Sequence, residues 1–283
     1  MAGSAHQIAL PGTDPAPSAD APVPTDVLVA TVLDWYGDRG RDLPWRRTRD
    51  PYAILVSEFM LQQTQVARVV PRYEAWLARW PTARSLADAP VADVIAAWSG
   101  LGYNRRAVNL HATARVLADD GVPDDLEALR GLPGVGPYTA AAVACFALGQ
   151  DVIPVDVNVR RVLSRAAGVD VVEPAAGQAY DLTQALFDLG ATVCLARVPR
   201  CGVCPLAAAG CPSRGRTYAP TRAQGRFEGS SRQRRGALLR AAAAGPVPLD
   251  DDNRAIALAL ERDGLLAVVG DTATLPGRTA LCR

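Results

Sequence analysis

Leu132-Pro133-Gly134-Val135-Gly136-Pro137-Tyr138-Thr139 is the stretch on which the reading of this chain turns. Two glycines let the backbone turn tightly and come close to another chain, and Pro137 suits the first position of the helix that follows. Upstream, Leu126 to Arg130 has helical character; downstream, Ala140 to Ala147 is a run of small residues. Backbone N–H groups at the start of the second helix face outward, where the helix dipole favours a phosphate. A glycine-containing helix connection with no ligand is the competing reading, and the length of the string argues against it.

Working outward, apolar residues recur at helical spacing from Thr25 to about Ala191: Val27, Val32, Leu33 and Tyr36; Val66, Val70, Tyr73 and Leu77; Val91, Val94, Ile95 and Trp98. Turn signals such as Trp80-Pro81-Thr82 and Gly100-Leu101-Gly102 separate them. Neither a βαβ rhythm nor a repeat is present, so the pattern predicts an all-α fold. Two short helices across the Gly134–Gly136 turn then read as a helix-hairpin-helix, which grips a DNA backbone without reading bases.

The chain has 283 residues, 49% of them hydrophobic, enough to bury a sizeable core. Thirty basic residues against 29 acidic ones give a net charge of +1. No lysine occurs, so every basic residue is arginine and internal lysine Schiff-base chemistry is excluded. Residues 1–24, rich in Ala, Pro, Ser and Asp, read as a disordered tail rather than a signal peptide. With no apolar run approaching the ~20 residues of a spanning helix, the expectation is a cytoplasmic protein. Between Ser213 and Arg240, eight arginines face the single acid Glu228, a basic linker over 213–231. Residues 232–283 read as two helices and a hairpin about Gly270-Asp271, a small winged-helix-like unit.

Three further features carry chemistry. Asp156, in Val155-Asp156-Val157-Asn158-Val159, stands where it caps a helix, and such a carboxylate also suits a site beside a developing cation. Ser57-Glu58-Phe59-Met60-Leu61-Gln62-Gln63-Thr64-Gln65 sits in an otherwise apolar helix; continued as helix, it places Glu58, Leu61, Gln62 and Gln65 on one face, suited to insertion into a base stack. Cys194, Cys201, Cys204 and Cys211 crowd into one short segment, spaced for a 4Fe–4S cluster or a tetrahedral zinc rather than a disulfide framework.

These features, in this order, resemble the endonuclease III superfamily of DNA glycosylases, and more closely the MutY type of adenine DNA glycosylase. The carrying strings are Leu43 to Val66 (LPWRRTRDPYAILVSEFMLQQTQV), Gly100 to His111 (GLGYNRRAVNLH), LPGVGPYTAAAV, VDVNVRRVLSR and LGATVC. The resemblance implies two helical lobes, 61–149 as a six-helix module and 25–60 with 150–212 as the lobe bearing a 4Fe–4S cluster on the four cysteines. It implies hydrolysis of adenine from double-stranded DNA at A:8-oxoguanine or A:G mispairs, by a monomer associated with the nucleoid. Glu58 matches the family's acid, Asp156 the stabiliser of the sugar cation, and Tyr138 and Asn158 their supports. Tyr138 stands where the bifunctional lyases carry lysine, so excision is expected to stop at an abasic site. Trp45, Leu61 and Gln184 match positions lining the adenine pocket, and Arg46 and Thr64 are expected among the DNA- or base-binding residues. Gln62 and Gln63 match stack-filling amides, Tyr103 an aromatic wedge, and Gly134, Val135 and Gly136 the DNA-gripping hairpin.

The chain departs from the family pattern in places. The spacing from Cys204 to Cys211 is one residue longer than usual, Val157 replaces a glycine, and Asn104 replaces a tyrosine. After the cluster segment the basic linker and small unit stand where the family's Nudix-like domain is expected, with the arginine run as a substitute source of DNA affinity. Release of thymine or uracil instead of adenine, or DNA binding without catalysis, are the alternatives.

Overall fold

The structure, a computed structural model, describes residues 21–219 and 225–278. Among them are α1 Thr25–Arg39, α2 Pro51–Leu61, α3 Val66–Arg79, α4 Ala83–Ala87, α5 Val91–Ala97 and α6 Arg105–Asp120. Then follow α7 Leu126–Gly131, α8 Pro137–Phe146, α9 Val157–Ala167, α10 Ala179–Thr192, α11 Ser231–Ala244 and α12 Asp251–Arg262, with strands β1 Val247–Pro248, β2 Ala267–Val269 and β3 Thr272–Thr274.

The hairpin forms as its residues dictate. Asp125 caps α7 by accepting the Ala128 N–H at 2.8 Å, and Pro137 opens α8. Gly134 has φ +78°, and a Cβ there would come within 2.6 Å of the Asn109 side chain, so both conformation and close approach require glycine. The small residues of α8 bury its face against α2 and α7. α2 also packs on α3 and α6, while α1 packs on α9 and α10. One continuous apolar core runs beneath both groups. Val23, inside the stretch read as a tail, is buried and donates its N–H to Ala166 O at 2.8 Å, so the chain is fixed just before α1.

The C-terminal unit has the expected two helices and hairpin, plus one strand the pattern does not reveal. β1 is only Val247-Pro248 and pairs at the edge of the sheet order β1-β3-β2, the position that tolerates proline. Ala92 and Ile95 of α5 join this unit's core, and Asp263 at the end of α12 pairs with Arg235 of α11 and, at 3.9 Å, with Arg105 of α6. Arg222, part of the basic linker, lies outside the described residues. No helix among the described residues is long and apolar enough to cross a membrane.

Candidate active site

Glu58 is the only acid on α2, whose residues Tyr52 to Met60 are all buried. A helix that is apolar on every side belongs to the core, so an acid in its middle loses its water. Glu58 is 5% exposed. Desolvation raises its carboxyl from 4.5 to about 7; the negative charge of Asp156 adds to the rise and a hydrogen bond with Tyr138 opposes it. Tyr138 occupies the first turn of α8. Burial, then the charges of Glu58 and Asp156, push its phenol well above its ordinary value, so it remains a donor. The hairpin thus meets α2 at a carboxylic acid that still carries its proton near neutral pH.

Asp156 caps α9 as its position suggests. Its Oδ1 accepts the N–H groups of Asn158 at 2.8 Å and Val159 at 2.7 Å, and its Oδ2 accepts Asn158 Nδ2 at 2.7 Å. Asn158 Oδ1 accepts Arg161 Nη2 at 2.7 Å, and Arg161 also donates to Gly190 O at 2.7 Å and Cys194 O at 2.8 Å. α10 approaches this closely because residue 190 is glycine: a Cβ there would stand 2.7 Å from Asn158 Cβ. The aspartate is therefore held by a helix N-terminus and by a hydrogen-bonded chain that ends on the first cysteine of the following segment. Val157, at the start of α9 beside this carboxylate, is 76% exposed and disturbs none of these bonds.

The helix face drawn through Gln62 and Gln65 does not form. α2 ends at Leu61, Gln63 turns into the left-handed region at φ +56°, and Gln65 is the N-terminal flank of α3. The reason is Arg106, buried on α6. Its Nη1 donates to Phe59 O at 2.6 Å, Met60 O at 3.0 Å and Gln62 O at 2.7 Å, closing the C-terminal end of α2. Its Nη2 donates to Thr64 Oγ1 at 3.2 Å, Leu101 O at 3.3 Å and Gly102 O at 2.9 Å. Leu61, Gln62 and Thr64 are partly buried, whereas Gln63 is exposed. Tyr103, at φ +46°, is 46% exposed.

The remaining candidate side chains are placed differently. Trp45 is buried edge-to-face on Tyr73, with ring centroids 5.5 Å apart, and Gln184 is buried on α10. Arg46 is held by Asp188, Nη1 to Oδ2 at 2.9 Å and Nη2 to Oδ1 at 2.7 Å. Arg41 joins the same carboxylate, so Arg46 ties the segment before α2 to α10 and presents no free fork to a base. Burial opposes the Asp188 charge, but hydrogen bonds from Arg46 and Arg41 outweigh it and lower its pKa. In the hairpin, Gly134 and Gly136 are exposed while the Val135 side chain is in the core, leaving only its backbone at the turn.

Cys194, Cys201, Cys204 and Cys211 line one cavity, walled by Val162, Leu189, Val193 and Leu206. Arg165 Nη1 lies 3.6 Å from Cys194 Sγ. Burial raises the Cys204 thiol to about 11 and lifts Cys211 as well, so neither is a free reactive thiolate. The donor set fits a thiolate-bound metal group in type, four cysteines lining one cavity. Among the described residues, no three His, Cys, Asp or Glu side chains are drawn together at a metal-binding geometry.

Residues 56–183 match the HhH-GPD superfamily of base excision DNA repair proteins. The adenine DNA glycosylase of Mycobacterium tuberculosis H37Rv is 43% identical over 303 residues, spanning 96% of this chain and 98% of that relative. The corresponding protein of Mycolicibacterium smegmatis is 48% identical over 231 residues, 74% of this chain and 78% of its own. The chain belongs to the adenine DNA glycosylases. Among solved structures, a thermostable thymine-DNA glycosylase superposes with a TM-score of 0.59 at 31% identity, covering 65% of this chain and 94% of that one. A member of the adenine DNA glycosylases is a DNA N-glycosylase of base excision repair. Three residues that shape this candidate site are not singled out by sequence pattern: Arg106, Arg161 and Gly190. The spacing of Arg161, three residues after Asn158, and a glycine inside the helical run of α10 are the signals available for two of them. Arg106 shows itself only once the two turns it joins are placed.

Proposed function

We propose that this chain acts as a monomer on double-stranded DNA and hydrolyses the N-glycosidic bond of adenine paired with 8-oxoguanine or guanine. The observation that carries the reading is a glutamic acid with a pKa of about 7, in contact with Tyr138 and under the influence of Asp156. Glu58 gives its proton to a ring nitrogen of the adenine as the N9–C1′ bond breaks and its electron pair leaves with the base. Asp156 opposes the positive charge that develops on the sugar. Water then attacks C1′, and the Glu58 carboxylate takes up the proton released. Because the acid must be protonated to act, excision is expected to persist below about pH 7 and to decline above it. The 31% identity to the thymine-DNA glycosylase favours release of thymine as the second reading.

With no lysine in the chain, no internal amine is present to form an imine with the abasic sugar. The product strand is expected to remain intact until hot alkali is added; strand scission without it would contradict hydrolysis as the final step.

We also infer that Cys194, Cys201, Cys204 and Cys211 hold a 4Fe–4S cluster, which when bound supplies iron–thiolate bonds that fix this segment. Their shared cavity and the Arg161 bond to Cys194 O support the reading. Purified protein is expected to be yellow-brown, with iron and acid-labile sulfide in equal amounts; a colourless, zinc-loaded protein would overturn it.

A further inference from the structure

Two turns meet at the end of α2: residues 62–64, leaving α2, with Gln63 exposed, and residues 101–103, leading into α6, with Gly102 and Tyr103 exposed. They lie far apart in sequence, yet one buried guanidinium bonds to both. Its partners are backbone carbonyls and one hydroxyl, and no carboxylate pairs with Arg106 among the described residues. The arrangement uses the shape of the guanidinium rather than its charge alone, since a planar fork reaches acceptors on two sides at once and an ammonium cannot.

The two turns share a second property. Gln63 at φ +56° and Tyr103 at φ +46° are the only non-glycine residues of positive φ among the described residues. L side chains rarely adopt this conformation, and it persists where surrounding contacts over-determine it. Arg106 supplies such contacts on either side of both: carbonyls of Gln62 and Gly102 before them, Thr64 Oγ1 and Tyr103 O after. Trp98 completes the support, donating from Nε1 to Gly102 O at 3.2 Å, with the Arg106 guanidinium 5.3 Å from its ring. Burial lowers Arg106 only to about 10, so it stays charged at neutral pH.

We propose that Arg106 is a positioning residue that locks the 62–64 and 101–103 turns into a single platform, presenting Gln63 and Tyr103 to the DNA duplex in fixed register. The proposal rests on the reading of this face as the DNA-contacting one. It assigns Arg106 a part in telling a mispaired duplex from a matched one, distinct from the chemistry at Glu58.

Native-state hydrogen exchange on the full-length protein tests the lock without any substitution. Amides of the two turns are expected to open with one common free energy; independent opening would overturn the proposal. Arg106→Lys is then expected to speed exchange in both turns. It should also lower the ratio of mispaired-duplex to matched-duplex affinity by about tenfold, with the pH limb of excision near 7 unmoved. A variant that keeps the affinity ratio and only melts earlier would show Arg106 to be structural. A shifted pH limb would show that it acts through Glu58, and either result overturns the proposal. Neither exchange nor duplex affinity requires base release, so failure of the adenine assignment would leave these outcomes readable. Should Arg106→Lys not fold, the exchange measurement on the native chain still decides.

Discussion

Glu58→Gln is expected to abolish base release while leaving duplex affinity nearly unchanged. Glutamine keeps the size of the side chain and its contact with Tyr138 but has no proton to give, and loss of a positioned general acid lowers the rate by about 10²–10⁴-fold. The same substitution is expected to stabilise the fold at alkaline pH. Glu58 titrates near 7 in the folded protein against 4.5 ordinarily. Between these values the folded state keeps a proton that the unfolded state has released. Stability therefore falls as pH rises through this window, by roughly 3 kcal/mol in total, and stays low above it. Glutamine carries no such charge, so the variant should melt above the native protein at pH 8, with the gap narrowing towards pH 5. Single-turnover excision and thermal melts at the two pH values check both halves. Native-rate excision by Glu58→Gln would remove Glu58 from the acid role.

Asp156→Asn separates the two duties of that residue. Asparagine is as good an N-cap as aspartate, and its side-chain oxygen still accepts the Asn158 and Val159 N–H groups; only the bond from Asn158 Nδ2 is lost, so the fold should lose about 1–2 kcal/mol. What also disappears is the negative charge that the proposed mechanism sets against the sugar cation. Removing a preorganised electrostatic partner of this kind lowers the rate by about 10²–10³-fold. The expected result is an enzyme that melts only modestly earlier but whose single-turnover rate collapses. A variant that excises at the native rate would reduce Asp156 to a cap.

Much of the fold was legible in sequence because it depends on local rules, whereas the pairing of Glu58 with Asp156 came from the resemblance alone. The Gly134–Gly136 turn, Pro137 at a helix start and Asp156 before a helical run are short-range features, and the structure has each of them. What escaped pattern reading depends on contacts across the fold. The end of α2 at Leu61 is set by Arg106, some 45 positions on and invisible to helical periodicity. Arg46 reads as an available cation until Asp188 of α10 is placed against it. β1 is two residues long, too short to show alternation, and exists only because β3 lies beside it. In the same way, the raised pKa of Glu58 follows from the burial of α2 on several sides rather than from its own neighbours in sequence.

The most direct test of adenine hydrolysis by this site is single-turnover excision, with saturating enzyme, on four otherwise identical duplexes carrying A:8-oxoguanine, A:G, T:G or U:G. Free adenine from the first two, leaving an uncut abasic strand and silence from the others, is the predicted result; release of thymine or uracil without adenine would contradict it.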